Sequence, residues 1–363
     1  MRMARPVVDT ALGRLEGVTR AGADAFLGIP YARPPVGDLR FAPAQPPTPW
    51  NGTRNASSYG APCYQTAGVW EQDPNEHPDP SAPKPSEDCL FINIFRPSRV
   101  AQADVVGAVV THAPAFAAGA PASAELLPVM VWIHGGGFCT GAGSSAWSNA
   151  SRLASEHRVL VATLNYRLGP LGFLALPSLK AAYGASGGLN GVRDQLTALR
   201  WVRSHIGAFG GDASRVTVFG ESSGGVATCV LDASPLANGL FHRAVVQSGP
   251  CIVPGEGWGP ASEAEGIRRG VALGMSLGAP DLRSLRALPP QRLQWDNATL
   301  ASDDDFSARD RVEIEIFRRD RGRDARPRSR RCLGRGTRST ASYSPRRRLR
   351  HTLMVAVTRR RCS

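Results

Sequence analysis

Arg215 to Ala227 reads Arg-Val-Thr-Val-Phe-Gly-Glu-Ser-Ser-Gly-Gly-Val-Ala. A short apolar strand, Val216 to Phe219, enters Gly220-Glu221-Ser222-Ser223-Gly224, and the apolar run Val226 to Leu231 can continue as a helix. Strand, tight turn and helix around G-x-S-x-G is the setting of a nucleophile elbow. A serine on such a strained turn projects its hydroxyl from the sheet edge. Glycines two before and two after it let backbone segments pass without a Cβ clash. Only Ser222 fits the central position, because Ser223 would need a glycine where Glu221 stands. The chemistry implied is acyl transfer, with Ser222 as nucleophile.

Acyl transfer develops an oxyanion, and backbone N–H groups aimed at it lower the barrier. Leu127 to Thr140 supplies such groups: an apolar strand runs into His134-Gly135-Gly136-Gly137. Three glycines allow a loop to turn its N–H groups inward, so the expected donors are the N–H groups of Gly136, Gly137 and Ser223. His134 is expected to hold this loop by hydrogen bonding rather than to act as a base. Glu221, beside the nucleophile, is expected to line the pocket and tune its electrostatics. The reaction needs neither metal nor cofactor. The two motifs in this order point to a serine hydrolase with an α/β-hydrolase fold.

Further motifs extend the pattern. They are Gly13-Arg14-Leu15-Glu16-Gly17 with Phe26-Leu27-Gly28-Ile29-Pro30-Tyr31-Ala32, then Glu87-Asp88-Cys89-Leu90 with Asn93, and Asn165-Tyr166-Arg167-Leu168-Gly169-Pro170. Asn190-Gly191 with Asp194-Gln195, and Phe209-Gly210-Gly211-Asp212, follow. In these residues the chain resembles the type-B carboxylesterases, the family of cholinesterases and bile-salt-activated lipases. The resemblance covers roughly residues 8 to 295 and implies an incomplete domain over 8–300. It implies a Cys63–Cys89 bridge closing an early loop. It would also allow Cys251 to start a second bridge, but Gly278-Ala279 stands where its partner is expected. Cys251 is therefore expected to be unpaired, and Cys139 and Cys229 to be buried thiols. The family's catalytic His and acid lie after the nucleophile. Here only His242 and His351 follow Ser222, and neither has the matching context. Trp70 lies between Cys63 and Cys89, but its spacing does not match the cation-binding tryptophan of the cholinesterase branch.

The elements that must hold these residues are legible as apolar runs. Strands are expected at Leu90 to Phe95, Met130 to Ile133, Val159 to Asn165, Val216 to Phe219 and Ala244 to Ser248. Helices are expected over Gln195 to Ile206 and up to Leu277, with Ser262 as N-cap of the latter. Such alternation predicts a mostly parallel, doubly wound central sheet flanked by helices. Residues 98 to 126, rich in Ala, Val and Pro, read as an inserted surface loop.

The chain has 363 residues and a formal net charge of +13. That charge is local. Residues 318–363 hold 17 arginines against two acids, a net +15, which leaves the preceding 317 residues at −2. A basic balance confined to a tail with one aromatic, Tyr343, does not argue for nucleic-acid binding. The tail reads as a basic disordered arm or as out-of-frame translation, the second reading being favoured because the family pattern stops just before it. No run is apolar enough to span a membrane, and residues 1–8 hold arginines but no apolar stretch of the kind a signal peptide carries. Sequons at Asn51, Asn55, Asn149 and Asn297, with the cysteine pair, point to a secreted or ER-lumenal ancestor. The expected partner is a small ester. The oligomeric state is not legible. A second reading is a non-catalytic esterase-like binding module, which the absent His favours and the intact serine and glycines oppose.

Overall fold

A computed structural model describes residues 5–65, 83–98, 126–184, 187–251, 262–293 and 356–359. Trp70, His351, Asn297, nearly all of the expected 98–126 loop and most of the basic tail lie outside the described residues. Five short strands open the chain: β1 (Val7–Thr10), β2 (Gly13–Glu16), β3 (Val18–Arg20), β4 (Ala23–Pro30) and β5 (Thr53–Asn55). Then come β6 (Phe91–Pro97), β7 (Leu127–Ile133), β8 (Leu160–Leu164), β9 (Gly211–Glu221), β10 (Arg243–Gln247) and β11 (Ala356–Arg359). The helices are α1 (Ser151–His157), α2 (Gly169–Phe173), α3 (Pro177–Tyr183), α4 (Asn190–His205), α5 (Ser223–Ala233), α6 (Glu263–Ser276) and α7 (Leu282–Ala287). As expected from the sequence, Ser262 caps α6, its hydroxyl accepting the Glu265 N–H at 3.2 Å.

The main sheet has the order β11-β10-β9-β7-β8-β6-β4-β3. β10, β9, β7 and β8 run parallel, whereas β6, β4, β3 and β11 join antiparallel. The sheet is therefore mixed: the parallel strands expected from the sequence form its centre, and the antiparallel direction of the flanking β6 is not legible in the sequence. The reason lies in burial. All seven residues of β6 and all five of β8 are buried. Strands covered on both faces read as apolar runs whatever their direction. β11 was not anticipated: it lies in the arginine-rich tail and pairs with β10, Ala356 opposite Val246 and Arg359 opposite Arg243.

Topology sets the site. The chain leaves β7 for β8 on one side, then crosses to β9 on the other side of β7. Adjacent parallel strands whose connections diverge open a crevice at their carboxyl ends, where ligands bind in open α/β sheets. Here those ends are Ile133 of β7 and Glu221 of β9, with Ile133 paired to Gly220.

A buried ion pair joins the segment after β8 to α4. Arg167 Nε and Nη2 donate to the two Asp194 carboxylate oxygens at 2.8 and 2.7 Å, and Nη1 donates to the Ala42 carbonyl at 2.8 Å. Both side chains are sealed from solvent, 4% and 0% exposed. Asp194→Ala would leave a buried guanidinium without its counter-charge, a change that costs roughly 3–5 kcal/mol. Thermal or denaturant unfolding of that variant should show a fall of this size. A near-neutral result would mean that water reaches the pair.

Candidate active site

Ser222 stands on the turn between β9 and α5 with φ 53° and ψ −125°. A non-glycine residue holds such a conformation only where its surroundings impose it. The surroundings are explicit. Its N–H donates to the Gln247 carbonyl of β10 at 2.9 Å, and its carbonyl accepts the Val226 N–H at 3.0 Å, starting α5. A Cβ on Gly220 would collide with the Gly224 carbonyl, and one on Gly224 with the carbonyls of Ile133 and His134. Both motif glycines are thus required by close backbone approach. The Ser222 side chain is half-exposed and does not cap α5. Ser223, by contrast, is buried. Its hydroxyl accepts the Phe138 N–H at 3.2 Å and pairs with the Tyr166 hydroxyl. Of the two serines, only Ser222 presents a hydroxyl that is not committed to the scaffold.

The glycine loop comes directly beside it. A Cβ on Gly135 would lie 3.1 Å from the Ser222 Cβ and 2.9 Å from Glu221 Oε2. The Gly135 carbonyl faces His134 Nδ1 at 2.8 Å, and the Gly136 carbonyl accepts the N–H groups of Cys139 and Thr140 at 3.0 and 2.9 Å. In a trans peptide the carbonyl and the following N–H point opposite ways. Fixing these two carbonyls within the loop therefore turns the N–H groups of Gly136 and Gly137 away from it. Gly136 and Gly137 hold φ 101° and 61°, left-handed values that glycine takes without strain. The Ser223 N–H is at the first turn of α5, where helical N–H groups have no intrahelical acceptor.

His134 is buried and stacks on Tyr166, with ring centroids 4.3 Å apart and planes 15° apart. Burial pushes its pKa down to about 4, opposed by the hydrogen bond to Gly135. At neutral pH the ring is uncharged, Nδ1–H donates to the Gly135 carbonyl, and Nε2 is buried without a partner. His134 thus anchors the loop, as its position in the sequence implies. Glu221 is exposed at the mouth of the crevice.

Several supports were not singled out from the sequence. Gln65 is buried and grips Gly141, its Oε1 accepting that N–H at 2.9 Å while Nε2 donates to the Gly141 carbonyl at 3.3 Å and to the Cys63 carbonyl at 3.1 Å. Asn165 Oδ1 accepts the Gly143 N–H at 2.9 Å, and Asn93 Nδ2 donates to the Gly143 carbonyl at 3.1 Å. Tyr166 donates to the His134 carbonyl at 2.9 Å. The available signal was adjacency: Gln65 lies two residues after Cys63, and Asn165, Tyr166 and Asn93 lie in motifs recognised for other reasons.

The Cys63–Cys89 bridge is present. The expectation of unpaired Cys251 and of a Cys229 thiol is corrected: these two form a second bridge. Helix α5 carries Cys229 to the segment leaving β10, an approach that sequence spacing does not display. Cys139 is a free, half-buried thiol whose pKa is raised by burial.

None of the four described histidines donates to or accepts from the Ser222 hydroxyl. His134 is committed to Gly135, His205 packs on Trp201, and His157 lies at the end of α1. His242 accepts the Val216 N–H through Nδ1 at 3.2 Å. Val216 and Glu221 are separated by about 16 Å of strand, so His242 sits at the opposite end of β9 from Ser222.

The chain matches the profile of the carboxylesterase family over residues 4–293. It is 42% identical over 247 residues to the para-nitrobenzyl esterase of Bacillus subtilis (strain 168), spanning 68% of this chain and 44% of that protein. It is 38% identical over 260 residues to the human cocaine esterase, spanning 69% and 42%. Among solved structures, a thermophilic PNB esterase superposes with a TM-score of 0.66 at 34% identity, over 83% of this chain and 55% of that one. A carboxylesterase of Geobacillus stearothermophilus gives 0.65 at 35% identity, over 82% and 53%. The chain thus spans less than half the length of these curated relatives.

Proposed function

The chain belongs to the carboxylesterase family, and from that premise we propose that Ser222 opens carboxylic esters through an acyl-enzyme. The observation that carries the reading is the Ser222 backbone, held at φ 53° and ψ −125° beside a loop whose peptide N–H groups are turned outward. In the proposed reaction the Ser222 Oγ attacks the ester carbonyl carbon and its proton passes to a base. The carbonyl π electrons move onto oxygen, and the N–H groups of Gly136, Gly137 and Ser223 receive the resulting oxyanion. Collapse expels the alcohol, which takes a proton. Water then attacks the acyl-serine and releases the acid.

The chain's own residues account for nucleophile placement and charge stabilisation. His134, neutral and tied to Gly135, keeps the Gly136 peptide oriented and adds no positive charge of its own to the site. Glu221 at the crevice mouth favours neutral or cationic esters over anionic ones. A fluorophosphonate probe tests the reading directly. Incubation of the 363-residue chain, followed by peptide mass mapping, should place the phosphonyl adduct on Ser222. An adduct on Ser223, or none after prolonged incubation with excess probe, would overturn it.

A further inference from the structure

Cys229 lies on α5 seven residues after Ser222, two helical turns along the same face. Cys251 follows Ser248-Gly249-Pro250, the segment leaving β10. That segment also presses on the elbow. Gln247 accepts the Ser222 N–H at 2.9 Å, and a Cβ on Gly249 would collide with the Ser222 carbonyl and come within 2.7 Å of the Val226 nitrogen. Ser248 holds φ 51°, a left-handed value that a serine keeps only under constraint. The exit of β10 is therefore bent over the first turn of α5, and the Cys229–Cys251 bridge ties it to the second turn. The two bridges differ in access. Cys63 and Cys89 are both buried, whereas Cys251 is exposed and Cys229 half-exposed.

We propose that the Cys229–Cys251 bridge is a clasp that positions Ser222, and that a dithiol reductant opens it and slows acylation. The proposal rests on Ser222 being the nucleophile. In the opening step a reductant thiolate attacks the exposed Cys251 sulfur, the protein S–S bond breaks, and Cys229 leaves as a thiolate that takes a proton. The second thiolate of the reductant then attacks the mixed disulfide and releases Cys251 as a thiol. Two electrons and two protons enter the chain, and the reductant becomes a cyclic disulfide. Exposure directs attack to this bridge before the buried one.

The test compares the oxidised full chain with the same chain after brief dithiothreitol treatment and alkylation, and with Cys229→Ser and Cys251→Ser. Peptide mapping reports the bridge, amide exchange reports the elbow, and fluorophosphonate labelling reports Ser222. Opening the bridge should lower protection of the Ser222 and Val226 amides by about tenfold or more, with labelling slowed in parallel and β7 and β8 unchanged. Unchanged elbow protection in a chain shown to be open, or two free thiols in the folded oxidised chain, would overturn the proposal. If the serine variants do not fold, the reduced and alkylated chain decides. If the probe labels neither form, the nucleophile assignment fails, while the exchange data still judge the clasp.

Discussion

Ser222→Ala is expected to erase covalent labelling and to reduce any ester turnover to the background of the assay, whereas Ser223→Ala should retain at least about a tenth of it. The contrast follows from where the two hydroxyls go. The Ser222 hydroxyl oxygen is the atom proposed to form the acyl bond, and the neighbouring Ser223 hydroxyl is tied to Phe138 and Tyr166. In a serine hydrolase where the comparison has been made, loss of the nucleophile costs about 10⁶ in kcat. Ser223 is proposed to contribute a backbone N–H, which alanine keeps, and its hydroxyl links Phe138 to Tyr166. Losing two neutral hydrogen bonds costs about 1 kcal/mol each in stability, and a slight shift of the glycine loop costs tenfold or less in rate, the equivalent of ~1.4 kcal/mol. Initial rates on a short p-nitrophenyl ester, with melting temperatures alongside, separate the two. Equal loss from both variants would mean that the nucleophile is misassigned.

The site was legible in the sequence where its chemistry is local. Gly220 is forced by the Gly224 carbonyl within the turn, and Gly224 by the Ile133 and His134 carbonyls at the end of β7, but the three motif residues sit within five positions, so the pattern survives translation into a string. The same holds for His134 to Gly137, where the Gly135 and Gly136 carbonyls are held by donors one to four residues away. Legibility failed where meaning depends on tertiary approach. Cys229 and Cys251 are 22 residues apart and gave no sign of meeting, because their approach depends on α5 packing against the end of β10. Gln65 offered only its place two residues after Cys63: a buried amide that grips Gly141 otherwise looks in sequence like any surface glutamine. Strand direction was hidden for another reason. Ile92 and Ile94 of antiparallel β6 are as buried as Leu160 and Val161 of β8, and burial alone shapes the sequence of each.

The base is the remaining question. The 363-residue polypeptide is expected to hydrolyse short p-nitrophenyl esters only weakly, at the level that nucleophile placement and oxyanion stabilisation sustain without a proper general base. In a well-studied serine hydrolase that level is about 10³ to 10⁴ above water, against a triad contribution near 10⁶. A serine without an acceptor for its proton is an ordinary alcohol at neutral pH. His242→Ala should leave the rate unchanged, because its Nδ1 is bound to Val216 at the far end of β9. His351→Ala is the more searching change. His351 is the other histidine that follows Ser222 in the chain. A loss confined to His351→Ala would make that residue the proton acceptor. Robust turnover insensitive to both substitutions would overturn the expectation of weak activity, since some other group would then be taking the Ser222 proton.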